Sequence, residues 1–253
     1  MKRLTHPLLL LTAGLLPLGT AQAAITTFDG LAYETPLTTL PGWTASEANN
    51  TSHLIAWTEN NTGAFGGAYV PGNASPVTLT MASSIFSSVA GVSMEIALYG
   101  SSASDPGRDT FSIGITDGSG AALVTIVFAP AVSVGGEARW EVGYSIGTGN
   151  VFYTGRTFSP GPADYDIGVS FNNSDFVFTY GNSLGTNSVN GTIAGYNGAT
   201  NGLGDIKFVW TKSPTEAYGD NYMTFDNIAV VPEPSAAALC GLAASVFLVR
   251  RRK

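Results

Sequence analysis

Few side chains on this chain can do chemistry. His53 is the only histidine besides His6. A Ser-His-Asp triad has to use it, but it ends a stretch of Asn, Thr and Ser, and no serine reads as a strand-to-helix elbow. A histidine-rich zinc site is excluded by the count. Glycosidic hydrolysis needs two carboxylates roughly 5–10 Å apart across a sugar ring. Asp164 with Asp166 and Glu137 with Glu141 come nearest to that spacing: the first pair follows Pro162, and the second brackets Trp140. Neither pair has a third partner, so both read as solvated strand-edge carboxylates. Asp and Asn at loops and strand ends suit a hard cation, and calcium would staple a body that has no disulfides. Trp43, Trp57, Tyr69, Tyr196 and Tyr218 lie in or beside loops. Rings placed there can stack on sugars, as in a carbohydrate-binding module; the plainer role for each is to fill the core.

The scaffold for these residues has a period of two. Ile25 to Phe28 opens as a strand and Asp29-Gly30 turns it. Residues 34–53 read as surface loops with Trp43 tucked back onto the core. Leu54 to Thr58 is a strand, and Asn60 to Gly67 a turn-rich link. Val77 to Met81 alternates, as does Val92 to Tyr99, with Val92, Met94, Ile96 and Leu98 on one face and Ser93, Glu95 and Ala97 on the other. Three hairpins follow. Thr110–Thr116 turns through Asp117-Gly118-Ser119-Gly120 into Ala122–Phe128, Trp140–Ile146 pairs with Val151–Tyr153, and Tyr165–Phe171 turns at Asn172-Asn173-Ser174 into Phe176–Tyr180. Residues 181–205 read as a long packed loop, with at most a short strand near Thr192 to Ala194, pinned by Ile193, Tyr196 and Leu203. Met81 to Val89 suits a helical turn over an open end. Ile206–Thr211 and Met223–Val230 are the closing strands. The pattern predicts an all-β fold, two antiparallel sheets face to face in a jelly roll.

The two ends differ from this body. Lys2 and Arg3, the apolar run Leu8 to Leu18 and the small-x-small exit Ala21-Gln22-Ala23 predict a signal peptide over residues 1–23, cut after Ala23 by the secretion machinery. Residues 24–230 then form one sandwich domain. In residues 231–253, Pro232 and Pro234 hold the backbone extended outside any ladder and leave Glu233 accessible. The apolar run Ala236 to Val249 falls short of the roughly 17–25 residues of a bilayer span, and Arg250, Arg251, Arg252 and Lys253 supply the missing hold at the cytoplasmic headgroups. Without the six cations of the two ends, five Lys and Arg remain against 18 Asp and Glu. That balance argues against nucleic acid and anionic lipid as partners. The single cysteine, Cys240, lies in the apolar run, so the body has no thiol for a disulfide, a metal or a nucleophile.

In this order at the C-terminus, the triplet Pro232-Glu233-Pro234, the short apolar helix and the basic end resemble a PEP-CTERM sorting signal, which an exosortase, a membrane-embedded transpeptidase-like enzyme, recognises. The resemblance implies a bacterium with an outer membrane, transient anchoring in the inner membrane, removal of the tail near the triplet, and delivery to the cell surface or the extracellular polymer layer. Gly219 to Val230 is similar to the final strand of concanavalin- or laminin-G-like sandwiches. In such modules a structural calcium joins the first and last strands, which implies Asp29 and Asp226 as its ligands, with Asp220 and Asn221 behind them; without an ion, Asp29 makes a turn and Asp226 caps a strand end. The expected function is an exported structural or adhesive protein without catalysis. The alternative is a secreted carbohydrate-binding module or glycoside-active enzyme that handles extracellular polysaccharide.

Overall fold

Alternating side chains build fifteen strands among the residues described by the computed structural model, which are 24–46, 53–55, 62–67, 76–82, 89–100, 108–134, 137–161, 165–213 and 221–232. One sheet contains β1 (Ala24–Thr26), β3 (His53–Ile55), β4 (Gly63–Gly67), β6 (Val89–Tyr99), β11 (Tyr165–Asn172), β12 (Asp175–Asn182), β13 (Gly185–Thr192) and β15 (Asn221–Pro232). Its order is β13-β12-β11-β6-β15-β4-β3, with β1 also paired to β15. The second contains β2 (Trp43–Ala45), β5 (Val77–Met81), β7 (Thr110–Asp117), β8 (Ala122–Val134), β9 (Glu137–Ile146), β10 (Phe152–Phe158) and β14 (Leu203–Thr211), in the order β10-β9-β8-β7-β14-β5-β2. Every pairing is antiparallel, and the architecture is a jelly-roll sandwich.

Aromatic rings hold the two sheets together. Trp43 stacks on Phe208 at 5.9 Å and on Phe225 at 5.9 Å, and Phe208 stacks on Phe225 at 4.4 Å. Phe65 meets Trp210 edge-on at 6.4 Å, and Phe158 lies on Tyr165 at 3.7 Å. Such rings bury roughly 150–250 Å² each, which supplies cohesion where no disulfide is available. A buried carboxylate adds to this. Asp109 accepts from Trp210 Nε1 at 2.7 Å and from the Ser213 N–H at 2.7 Å, while its carbonyl accepts from Trp140 Nε1 at 3.0 Å.

The three expected hairpins are present, with Asn173 at φ 54 in the turn between β11 and β12. Three stretches differ from the sequence expectation. Residues 181–205 are not mainly a loop: β12 runs to Asn182, a tight turn follows, and β13 pairs back along its whole length from Asn182↔Gly185 to Asp175↔Thr192. As an edge strand rich in Gly, Asn, Ser and Thr, β13 is held by ladder hydrogen bonds and leaves no apolar alternation to read. Gly63–Gly67, expected as a link, is β4; the ring of Phe225 lies against Gly63 where a side chain would stand, so a turn-like composition here is the price of close packing. Pro232, expected outside the ladder, is the last residue of β15 opposite Val89, at an irregularity where its missing N–H is tolerated. The expected helical turn at Met81 to Val89 falls mostly outside the described residues.

Candidate functional site

Register in the first sheet assembles carboxylates that no single strand carries. Asp226 on β15 lies opposite Glu95 on β6, and Glu95 lies opposite Asp166 on β11. Met94 and Ile96 on either side of Glu95 are buried, so this row belongs to the outer face. Directly opposed residues have Cβ atoms roughly 4.5–5.5 Å apart. Asp29, in the turn after β1, approaches Asp226 because β1 pairs with the end of β15. Burial pushes the Asp226 carboxyl above its usual 3.8, and the charges of Asp29 and Glu95 push the same way, while the N–H groups of Asn227 and Phe28 donate to it and offset part of the rise. Asn227 takes φ 49 at the irregularity between Asp226 and Ala229 and donates its amide to Glu95 Oε2 at 2.9 Å.

A cavity of about 210 Å³ opens at this row, lined by Thr62, Glu95, Ala97, Thr224 and Asp226 among others. Asp226 Oδ1 and Thr62 Oγ1 are buried there without a hydrogen-bond partner. Orphaned oxygens beside negative charge suit calcium in type, but that ion takes about six to eight oxygens, and no three His, Cys, Asp or Glu side chains among the described residues are grouped to hold a metal. The described side chains therefore fall short of the expected calcium set. The first and last strands are joined directly, by the β1–β15 ladder and the Phe28 N–H to the Asp226 carboxylate. What the row brings together is three carboxylates on neighbouring strands, with Asp226 binding its proton more tightly than an ordinary carboxyl does.

Sequence reasoning missed Glu95, because the search followed carboxylates along one strand and the partners lie across three. Asp166 is exposed on β11 with Asp164 outside the described residues, and Glu141 Oε1 accepts from the Gly155 N–H at 3.2 Å, a structural bond. Two stretches spell Gly-x-Ser-x-Gly where none was expected, Gly143-Tyr144-Ser145-Ile146-Gly147 and Gly181-Asn182-Ser183-Leu184-Gly185. The first runs extended along β9 into a turn with Ser145 buried, and the second is the hairpin turn between β12 and β13, so neither forms a strand-to-helix elbow. His53 lies in β3, with its side chain outside the described residues.

Two of the five rings offered for sugar stacking do not serve it and take the plainer role expected of them, filling the core. Trp43 is 4% exposed and stacked against rings of the core, and Tyr196 is 5% exposed with its ring edge-on to Phe171 and its hydroxyl donating to the Gly202 carbonyl at 3.3 Å. Loop position did not imply exposure, because a thiol-free body draws its rings inward. Trp57, Tyr69 and Tyr218 lie outside the described residues, as do Ala21, Ala23, Asp220, Glu233, Pro234, Arg250, Arg251 and Arg252. Asn221 is fully buried. Among the described residues the exposed rings are Tyr33, Phe152 and Tyr153, the last two on edge strand β10, and no helix is long and apolar enough to cross a membrane.

A second opening lies at the other edge of the sandwich, between β10 and the β12–β13 hairpin. It encloses about 280 Å³ and is lined by Arg139, Arg156, Ser159, Tyr180, Asn182 and Asn187 among others.

No protein-family model matches the chain, and no curated protein matches it. Solved structures do. Bacillus licheniformis beta-glucanase superposes with a TM-score of 0.52 at 7% identity, covering 85% of this chain and 100% of that one. A structure described as a native glycosidic hydrolase superposes with a TM-score of 0.50 at 8% identity, covering 85% and 97%. The CBM2 module of the Lactobacillus casei BL23 phage J-1 evolved Dit gives 0.45 at 9% identity over 81% and 96%. At these identities the first two superpositions establish a shared jelly-roll fold, one that glycoside hydrolases also use, and nothing about the chemistry of this chain.

Proposed function

We propose that this chain is an exported cell-surface or extracellular-matrix protein, anchored briefly in the inner membrane, processed by an exosortase at Pro232-Glu233-Pro234, and acting as a non-catalytic adhesive body that engages extracellular polysaccharide. The observation that carries this reading is the pairing of a signal-peptide pattern at one end with the ordered triplet, apolar run and Arg250 to Lys253 cluster at the other. The fold bears only on the carbohydrate part of the reading, since glycoside hydrolases use the same sandwich. The triplet starts at the last residue of β15, so a cut just beyond Pro232 leaves that strand whole.

A second reading is favoured by the register that sets Asp226 opposite Glu95 on the outer face, with the Asp226 carboxyl pushed above its usual 3.8 by burial. In it, Asp226 donates a proton to the glycosidic oxygen and Glu95 stabilises or attacks the anomeric carbon, the separation expected of opposed strand residues being close to the roughly 5 Å of retaining pairs. The anchoring of Asp226 by two backbone N–H groups and the bond from Asn227 to Glu95 favour structural duty for both residues. The test is a polysaccharide panel with the purified protein. Pull-down without reducing ends supports the adhesive reading; hydrolysis abolished by E95Q and D226N supports the enzyme and overturns it.

A further inference from the structure

Among the described residues the two sheets end in four edge strands, β13 and β3 in one and β10 and β2 in the other, and three of the four are built against further pairing. β2 and β3 have three residues each, too few to hold another chain by ladder bonds. β10 is longer, but its ladder to β9 breaks between Tyr153 and Thr157, Gly155 takes φ 73 inside the break, and Arg156 puts a charge on the strand. A break, a twist and a cation are the devices that keep an edge from recruiting a neighbour. β13 carries none of them. Its eight residues pair with β12 in unbroken register from Gly185 to Thr192, and they include no proline and no charged side chain. Thr186, Ser188, Asn190 and Thr192 are exposed. On the other face Val189 packs against the core, and the Asn187 side chain accepts from Arg156 Nη2 at 3.2 Å, a tie between the sheets that uses no backbone group of β13.

We propose that β13 pairs antiparallel with β13 of a second copy of this chain, so that two eight-stranded sheets join into one across a twofold axis. In an antiparallel ladder alternate residues turn both N–H and C=O away from the neighbouring strand, so about four residues of β13 present backbone donors and acceptors outward. A second β13 satisfies them, and a strand paired antiparallel with itself makes an isologous contact that closes at two copies. Charge selects the occupant. The body has 18 Asp and Glu against five Lys and Arg, so two copies repel wherever charged surfaces meet. The uncharged run of β13 lets them meet without placing like charges opposite each other, and a charged peptide finds no side chain of opposite sign on the strand. Across the axis the exposed Thr, Ser and Asn side chains face their own kind, and hydroxyl pairs of this sort favour a ladder. Leu184, 92% exposed in the turn that enters β13, is carried across the junction toward the other copy. The inference stands on the strand edge alone and does not depend on the polysaccharide reading.

The experiment uses the purified full chain in mild detergent, which shields the apolar run of residues 236–249. Light scattering over a concentration series reads the dimer, and hydrogen exchange followed by mass spectrometry reads the amides of residues 185–192. The variant S188K/N190K adds two lysines to the exposed face of the edge, and T44K/T211K adds the same charge at exposed positions of the second sheet, with circular dichroism and Tm as fold controls. The expected result is a monomer–dimer equilibrium for the wild type and T44K/T211K, and a dissociation constant raised about tenfold in S188K/N190K. Exchange over residues 185–192 slows as the wild-type concentration rises. A chain that stays monomeric throughout, a dimer that S188K/N190K holds as tightly as the wild type, or amide protection over residues 185–192 that does not change on dilution overturns the pairing. The exchange measurement needs no variant, so it decides the matter even where the lysines disturb the fold.

Discussion

Asp117 and Asp226 answer to pH in opposite directions. Burial pushes the Asp117 carboxyl up, but the Ser119 hydroxyl and the N–H groups of Ala121, Ser119 and Gly120 together outweigh it and leave it below 3.8. Its contribution to stability is present above the unfolded value and is lost as pH falls through the lowered folded one. Asp226 is raised, so the folded state binds its proton more tightly, and stability is lost as pH rises from the ordinary 3.8 through the folded value. Removing that charge should therefore help at neutral pH. D226N is expected to raise Tm by about 1–3 °C at pH 7, a modest gain because the side chain is only partly buried and two backbone N–H groups already offset part of the rise, and to give no gain at pH 3; thermal melts across that range check it. D117N should do the reverse, lowering Tm at pH 7 with the difference closing in acid. Asp109 is the third carboxylate that matters. D109A takes away the acceptor of a buried indole N–H and is expected to cost about 2–4 kcal/mol in denaturant unfolding, with D109N recovering part of that stability through its amide oxygen.

Strands were legible where one face is apolar. Val92, Met94, Ile96 and Leu98 announce β6, and Phe176, Phe178 and Tyr180 announce β12, because burial on one side imposes alternation. β13 and β4 were not legible for a related reason. Each is specified by a neighbour, β13 by the ladder to β12 and β4 by the ring of Phe225 over Gly63, and a polar or glycine-rich strand carries no trace of that neighbour in its own residues. Trp43 shows the same limit for a short element. Three residues of β2 place it against Phe208 and Phe225, and W43A is expected to cost about 3–5 kcal/mol in denaturant unfolding, while W43F retains most of the stability. If Trp43 served sugar binding instead, the unfolding midpoint would hold and glycan affinity would drop.

For the whole molecule, the export reading makes a statement about mass. Intact mass spectrometry of the protein recovered from its native surface is expected to show Ala24 as the first residue and a C-terminus near Pro232-Glu233-Pro234, with residues 236–253 gone. A species that keeps both ends contradicts that reading and leaves the sandwich in place. The sandwich itself, the hairpins and the thiol-free core follow from the sequence alone, since side-chain period, turn residues and the position of Cys240 are local properties. Strand order is not local, and it decided everything about sites. Only the folded sheets put Asp226 beside Glu95 and Glu95 beside Asp166, drew Trp43 and Tyr196 inward, and set β13 at the end of its sheet. Side chains far apart in the chain become neighbours through a register that neither strand encodes by itself, and the sites of this protein are made of such neighbours.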